Sequence, residues 1–164
     1  MASPNHSSRG GVKPTLIVVH ATAGHNRPGV IDLKGLGAWF QKAPVSSHAA
    51  TDNEGNSARF VPDDLKAWHC AGYNRMSLGI EQILPGNGTE VTEVMYRETA
   101  RWIARWSRLH GIPIKKGRVR NGYVQAPGVV RHSDLGALGG GHADPGIYDL
   151  HHVLYLARYY KARS

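Results

Sequence analysis

The chain alternates short apolar runs with glycine- and proline-rich breaks, and its apolar positions follow two different periods. Thr15-Leu-Ile-Val-Val-His20 is an unbroken apolar run closed by a histidine, the pattern of a strand buried on both faces. With that strand at 15–20, further strands are predicted at 47–51, 57–61 and 78–84. Asp52-Asn-Glu-Gly55 carries the turn chemistry to join the second and third as a hairpin. Leu33, Leu36 and Phe40 fall on one face of a helix predicted over 32–42, with Asp32 as its N-cap. A longer helix is predicted over about 90–110, where Val91, Met95, Trp102, Trp106 and Leu109 make one apolar stripe. Thr89 is its expected N-cap, Glu90 and Glu93 suit its positive end, and Gly111 and Pro113 stop it. The tryptophans read as core residues. A last helix starts near Asp149 and turns Leu150, Val153, Leu154 and Ala157 inward. Strands interleaved with helices, one hairpin among them, predict an α/β fold: a single domain with a central mixed β-sheet flanked by helices.

Composition narrows this picture. A length of 164 residues, 41% of them hydrophobic, suits one loop-rich domain with a sizeable core. Residues 1–13 are polar and are expected to form a flexible leader before a domain spanning 14–164. They contain no apolar signal region, so the chain is expected to be made in the cytoplasm without a signal peptide. No apolar stretch approaches the roughly 20 residues that span a bilayer. Cys70 is the single cysteine and excludes an intramolecular disulfide.

The formal net charge of +8 favours polyanionic partners, whether nucleic acid, anionic lipid or acidic wall polymers. Much of it lies in Arg101, Arg105, Arg108, Lys115, Lys116, Arg118 and Arg120, which also read simply as the solvated face of a helix and the loop behind it. No helix-turn-helix, zinc-finger or aromatic strand motif supports a nucleic-acid partner, so none is expected.

Chemistry enters with His20, His132 and Asp144. His132 closes a second apolar run, Gly128-Val-Val-Arg-His132, and Asp144 follows in His142-Ala-Asp-Pro-Gly146. A catalytic zinc ion takes three ligands of these types and keeps a fourth position open. Hydrogen-bonded core histidines would look the same in sequence, and no compact metal motif decides between the two. The cluster Gly136-Ala-Leu-Gly-Gly-Gly141 between two of these residues reads as an active-site loop. Glu81 sits in an otherwise apolar strand, where a carboxylate is costly to bury unless it is used, although alternation could turn it to solvent. His69, beside Trp68, reads on its own as a hydrogen-bonded structural residue.

Seven segments in order carry a resemblance: the strand ending in His20, Val45-Ser-Ser-His48, Asn53-Glu-Gly55, Ala67-Trp-His69, Ser77-Leu-Gly-Ile-Glu81, Arg131-His132 and Asp144-Pro-Gly146. Together they resemble the type 2 N-acetylmuramoyl-L-alanine amidases, the fold shared with phage endolysins and peptidoglycan recognition proteins. The resemblance covers about residues 14–160 and implies a single catalytic domain. It implies zinc held by His20, His132 and Asp144, with Glu81 as general base. His142 matches a position where relatives often carry a lysine that holds the developing oxyanion. Ser47 stands where some relatives have a tyrosine near the metal, and it is expected, with His69 and Asn74, to contact substrate. Cys70 is left outside the metal site.

The implied reaction cuts the amide between N-acetylmuramic acid and L-alanine of peptidoglycan. The strong positive charge favours a lytic phage or prophage endolysin, expected to be monomeric and to act on the wall after release. Anionic wall polymers are possible further partners. The alternatives are a cytosolic amidase recycling anhydromuropeptides and a non-catalytic peptidoglycan receptor.

Overall fold

A computed structural model of the chain describes residues 2–85 and 87–163. Five strands form the central sheet in the order β4-β3-β6-β2-β9. They are β2 (Leu16–Ala21), β3 (Ala49–Thr51), β4 (Ser57–Arg59), β6 (Ser77–Gln82) and β9 (Gly128–Arg131). β3, β6, β2 and β9 run parallel, and only the edge strand β4 is antiparallel, paired with β3 through the predicted hairpin. The turn forms as its residues dictate: Asp52 Oδ1 accepts the Glu54 and Asn56 amides, and Gly55 takes φ +81°. Every residue of β2 is buried, as expected of a central parallel strand covered on both faces.

Alternation along the strands sorts the two faces. Ile17, Val19, Leu78, Ile80 and Val129 point to one side and pack against α2 (Glu93–His110) and α3 (Leu150–Lys161). Leu16, Val18 and Val130 point to the other, onto Cys70 and onto Tyr73 and Leu135 of the short 3-10 turns at 71–76 and 132–135. α1 (Ile31–Trp39) covers the β3 end of that second face through Leu33, together with Phe40, Phe60 and Ile83. His20 and Glu81 lie in phase with the residues of this second face. They are also direct partners across the β2–β6 register.

The helix stripes hold in outline. Met95 and Trp106 are fully buried and Trp102 packs on the same core, but Leu109 is 58% exposed. α2 begins later than expected: Thr92, not Thr89, is the N-cap, accepting the Met95 amide at 3.2 Å while its own hydroxyl donates to Asn53 O at 2.7 Å. That second bond ties the helix to the β3–β4 turn, a tertiary contact that local sequence does not encode. Asp32 is not a cap either. It lies inside α1 and accepts from Arg27 instead. Asp149 caps α3 and Gly111 ends α2 at φ +72°, both as expected.

The expectation of a flexible leader is overturned. β1 (His6–Ser8) pairs antiparallel with β5 (Leu65–Ala67), and Ser3 and Arg9 are 3% and 4% exposed. Asn5 Nδ2 donates to the carbonyls of Phe40 and Ala43, which anchors the segment to the end of α1. A second hairpin, β7 (Arg118–Arg120) with β8 (Tyr123–Ala126), packs Val119 and Val124 beside the Leu16–Val130 cluster. Among the described residues no helix is long and apolar enough to cross a membrane.

Candidate active site

In an open sheet of parallel strands, ligands gather at the carboxyl ends of the strands. His20 and Glu81 occupy adjacent positions at those ends of β2 and β6, and His132 follows β9 directly. Asp144 comes from the loop before α3, where its Oδ2 accepts the Ala21 amide at 3.1 Å. These residues line a cleft of about 780 Å³ together with His142 and Trp39.

The three residues singled out from the sequence converge. His20 Nδ1 lies 3.0 Å from His132 Nδ1 and 3.7 Å from Asp144 Oδ2, and His132 Nδ1 lies 3.0 Å from Asp144 Oδ1. The outer nitrogen of each ring is engaged elsewhere: His132 Nε2 donates to Gly139 O at 2.9 Å, and His20 Nε2 meets His69 Nδ1 at 2.9 Å. Protons held on the outer nitrogens leave the inner lone pairs facing each other across a carboxylate. Such a donor set repels itself unless a proton or cation lies between, and its spacing suits ligands sharing one ion at bond lengths of about 2 Å. The residues therefore fit zinc.

Burial, then the neighbouring His132, lowers the His20 imidazole to about 3, which keeps it neutral and available as a ligand. Burial works against ionisation of Asp144, but its contact with His132 and the Ala21 amide that donates to its Oδ2 carry its carboxyl below the usual range. Glu81 shows the opposite result. Burial, reinforced by Asp144, pushes its carboxyl up to about 8. The alternation that could have turned Glu81 to solvent instead aims it into the cleft. His142 stacks on the His132 ring, with centroids 4.5 Å apart, and its Nδ1 reaches 4.0 Å from Asp144 Oδ1. It is mostly exposed and stands at the mouth of the ligand cluster.

The residues expected to contact substrate behave differently. Ser47 is 0% exposed, and its hydroxyl donates to Ala49 O, so it cannot reach a ligand in the cleft. His69 borders the cleft, but both ring nitrogens are occupied, Nδ1 by His20 and Nε2 by Ser77 Oγ at 3.1 Å. Asn74 Oδ1 accepts the His69 and Cys70 amides at 2.9 and 2.6 Å, which leaves only the amide nitrogen to face outward. Cys70 stays apart from the ligand cluster as expected, its thiol pushed up to about 12 by burial. Sequence reasoning overlooked Trp39, 58% exposed at the cleft rim. Its signal was present: a large aromatic on the polar face of a predicted helix is a mark of a binding surface.

The comparisons agree with this geometry. The family model of N-acetylmuramoyl-L-alanine amidase matches residues 10–147. No curated protein matches the sequence. Among solved structures, a selenomethionine AmpD derivative is 22% identical with TM-score 0.73, over 95% of this chain and 92% of that one. Hydrolase AmiA of Staphylococcus aureus, solved with its ligand, is 21% identical with TM-score 0.72, over 98% and 80%. The N-acetylmuramoyl-L-alanine amidase LysC of Clostridium intestinale is 16% identical with TM-score 0.67, over 93% and 89%. At these identities the likeness is one of fold. With the family model spanning most of the sequence, the chain belongs to the N-acetylmuramoyl-L-alanine amidase family.

Proposed function

We propose that the protein is a zinc-dependent hydrolase of the amide between N-acetylmuramic acid and L-alanine in peptidoglycan. The observation that carries this reading is the inward-facing pair of imidazole lone pairs on Asp144, with Glu81 beside them at the same sheet edge. His20, His132 and Asp144 would hold the zinc ion, which would supply Lewis acidity at the scissile carbonyl and at the attacking water. Glu81 accepts the proton of that water and returns it to the leaving amine. A carboxyl pushed towards neutral pH suits both halves of this transfer. His142, at the mouth of the cluster, donates a hydrogen bond to the oxygen that gains charge in the tetrahedral intermediate. Trp39 offers an apolar face to the sugar or peptide lying in the cleft.

We assign the role to wall lysis, as a phage or prophage endolysin made in the cytoplasm and acting on the wall after release. Support comes from the net charge of +8, which suits an anionic wall better than a small soluble muropeptide. Digestion of purified peptidoglycan should release free stem peptides beginning at L-alanine, identified by mass spectrometry. The purified protein should carry about one zinc per chain. Chelation should abolish the digestion and added zinc restore it. Glycan fragments with intact stems, or full activity without stoichiometric metal, would refute the assignment.

A further inference from the structure

We infer that His69 is a positioning residue for the metal, the middle link of a hydrogen-bonded chain that fixes which nitrogen of His20 is left free to bind. The inference rests on the zinc reading given above. The chain starts at a group that can only accept, the backbone carbonyl of Tyr73. Ser77 Oγ lies 2.8 Å from it and donates its single proton there. The Ser77 oxygen then has only lone pairs to offer His69 Nε2 at 3.1 Å, so Nε2 carries the proton of that ring. His69 Nδ1 is thereby an acceptor, and at 2.9 Å it takes the Nε2 proton of His20. His20 Nδ1 is left bare and pointed at His132 and Asp144. If the chain ran the other way, every proton would move by one nitrogen and His20 would present N–H to the cluster.

The surroundings are built around this chain. A Cβ on Gly79 would lie 2.6 Å from His69 Nδ1, so the β6 position facing the ring must be glycine for the ring to sit where it does. Asn74 Oδ1 holds the His69 amide at 2.9 Å and fixes the backbone that carries the ring. His69 meets the ring of His20 edge-on, with centroids 5.0 Å apart, which aligns the two nitrogens for a hydrogen bond. His69 and Asn74 thus act on the reaction through His20.

The test compares the native protein with His69→Ala, His69→Gln and Ser77→Ala, measuring zinc affinity by chelator competition and the rise in unfolding temperature on adding zinc. Loss of such an outer partner typically weakens metal binding 10- to 100-fold, and His69→Ala should fall in that range. The Gln side chain still offers an oxygen to His20 Nε2–H and should recover most of the loss. Ser77→Ala, a smaller change that keeps the fold if His69→Ala does not, should weaken zinc severalfold by freeing the His69 ring to switch tautomer. A residue that only supports the fold would lower the unfolding temperature equally with and without zinc. A positioning residue shrinks the zinc-induced rise. Native-like zinc affinity in either His69→Ala or Ser77→Ala overturns the inference alone. Failure of the native protein to bind zinc overturns the zinc reading on which it stands.

Discussion

Glu81 is a carboxylate set where burial and Asp144 both oppose its charge, so in the proposed mechanism it is a poor proton acceptor until a cation shares the site. A divalent cation among His20, His132 and Asp144 reverses that bias, because a nearby positive charge favours the carboxylate. Carbon NMR of Glu81 should therefore find it titrating near 8 without metal and at clearly lower pH with zinc. Glu81→Gln removes the base while nearly preserving shape. It should keep zinc and fold but lose turnover by about 100-fold or more. Near-native hydrolysis by that variant would leave Glu81 a structural residue. His48 makes a separate statement about stability. Its Nδ1 accepts the Gly79 amide at 2.9 Å, and burial followed by the Arg9 charge lowers the imidazole to about 3. The unfolded chain takes up a proton there near pH 6.5 and the folded chain does not, so stability present above 6.5 is lost as pH falls towards 3. At pH 5 this one group should cost about 2 kcal/mol. An NMR titration showing His48 protonating near 6.5 in the folded protein would contradict this.

The amino-terminal strand is the element where sequence and structure part most. Apolar runs found β2 and β6, turn chemistry found the β3–β4 hairpin, and an apolar stripe at period 3.6 found the helices, because each of these features follows from residues close together in sequence. β1, with His6-Ser-Ser8, has no such feature. It is held by backbone pairing to β5 and by polar anchors, and neither leaves a hydropathy signal. The site follows the same logic. His20 and His132, the proposed ligands at strand ends, could be singled out because the apolar runs they close could be. The inner role of His69 was not, since it depends on Ser77 and Gly79 across the chain. Arg9 is the firmest of the polar anchors: Nε donates to Asp63 O, Nη1 to Arg75 O and Nη2 to Ser77 O, at 3.0, 2.9 and 2.8 Å. Arg9→Ala should orphan these buried carbonyls and destabilise the fold by on the order of 3 kcal/mol, read from denaturant unfolding. Arg9→Lys should recover little, because an ammonium cannot present the planar fork that serves these carbonyls, and that of Asn74, at once. Deleting residues 1–9 should be at least as costly, whereas a loosely attached leader could be removed without effect.

At the scale of the whole molecule, the cleft and the basic surface lie on different parts of the fold and can be varied independently. Arg105, Lys115, Lys116 and Arg118 are exposed on α2 and the segment after it, and none of them lines the cleft. Part of the expected patch is already compensated: Glu98 holds Arg101 at 3.1 Å, Glu93 holds Arg97 at 3.0 Å, and Arg101 also sits over the Tyr160 ring. Wall adhesion should then rest on the carboxyl-terminal half of α2 and the lysine pair. Attraction between exposed charges fades as the Debye length shrinks from about 10 Å at 0.1 M salt to about 3 Å at 1 M. Lysis of whole walls should fall steeply over that range, while hydrolysis of a small soluble muropeptide, governed by the cleft, should change little. Replacing Arg105, Lys115, Lys116 and Arg118 with Gln should reproduce the loss on walls at low salt and leave both zinc content and muropeptide hydrolysis at native levels. Equal salt sensitivity on the two substrates would remove the basic surface from the mechanism. A marked preference for soluble anhydromuropeptides would turn the assignment from lysis to recycling, with the chemistry of Glu81 and the metal cluster unchanged.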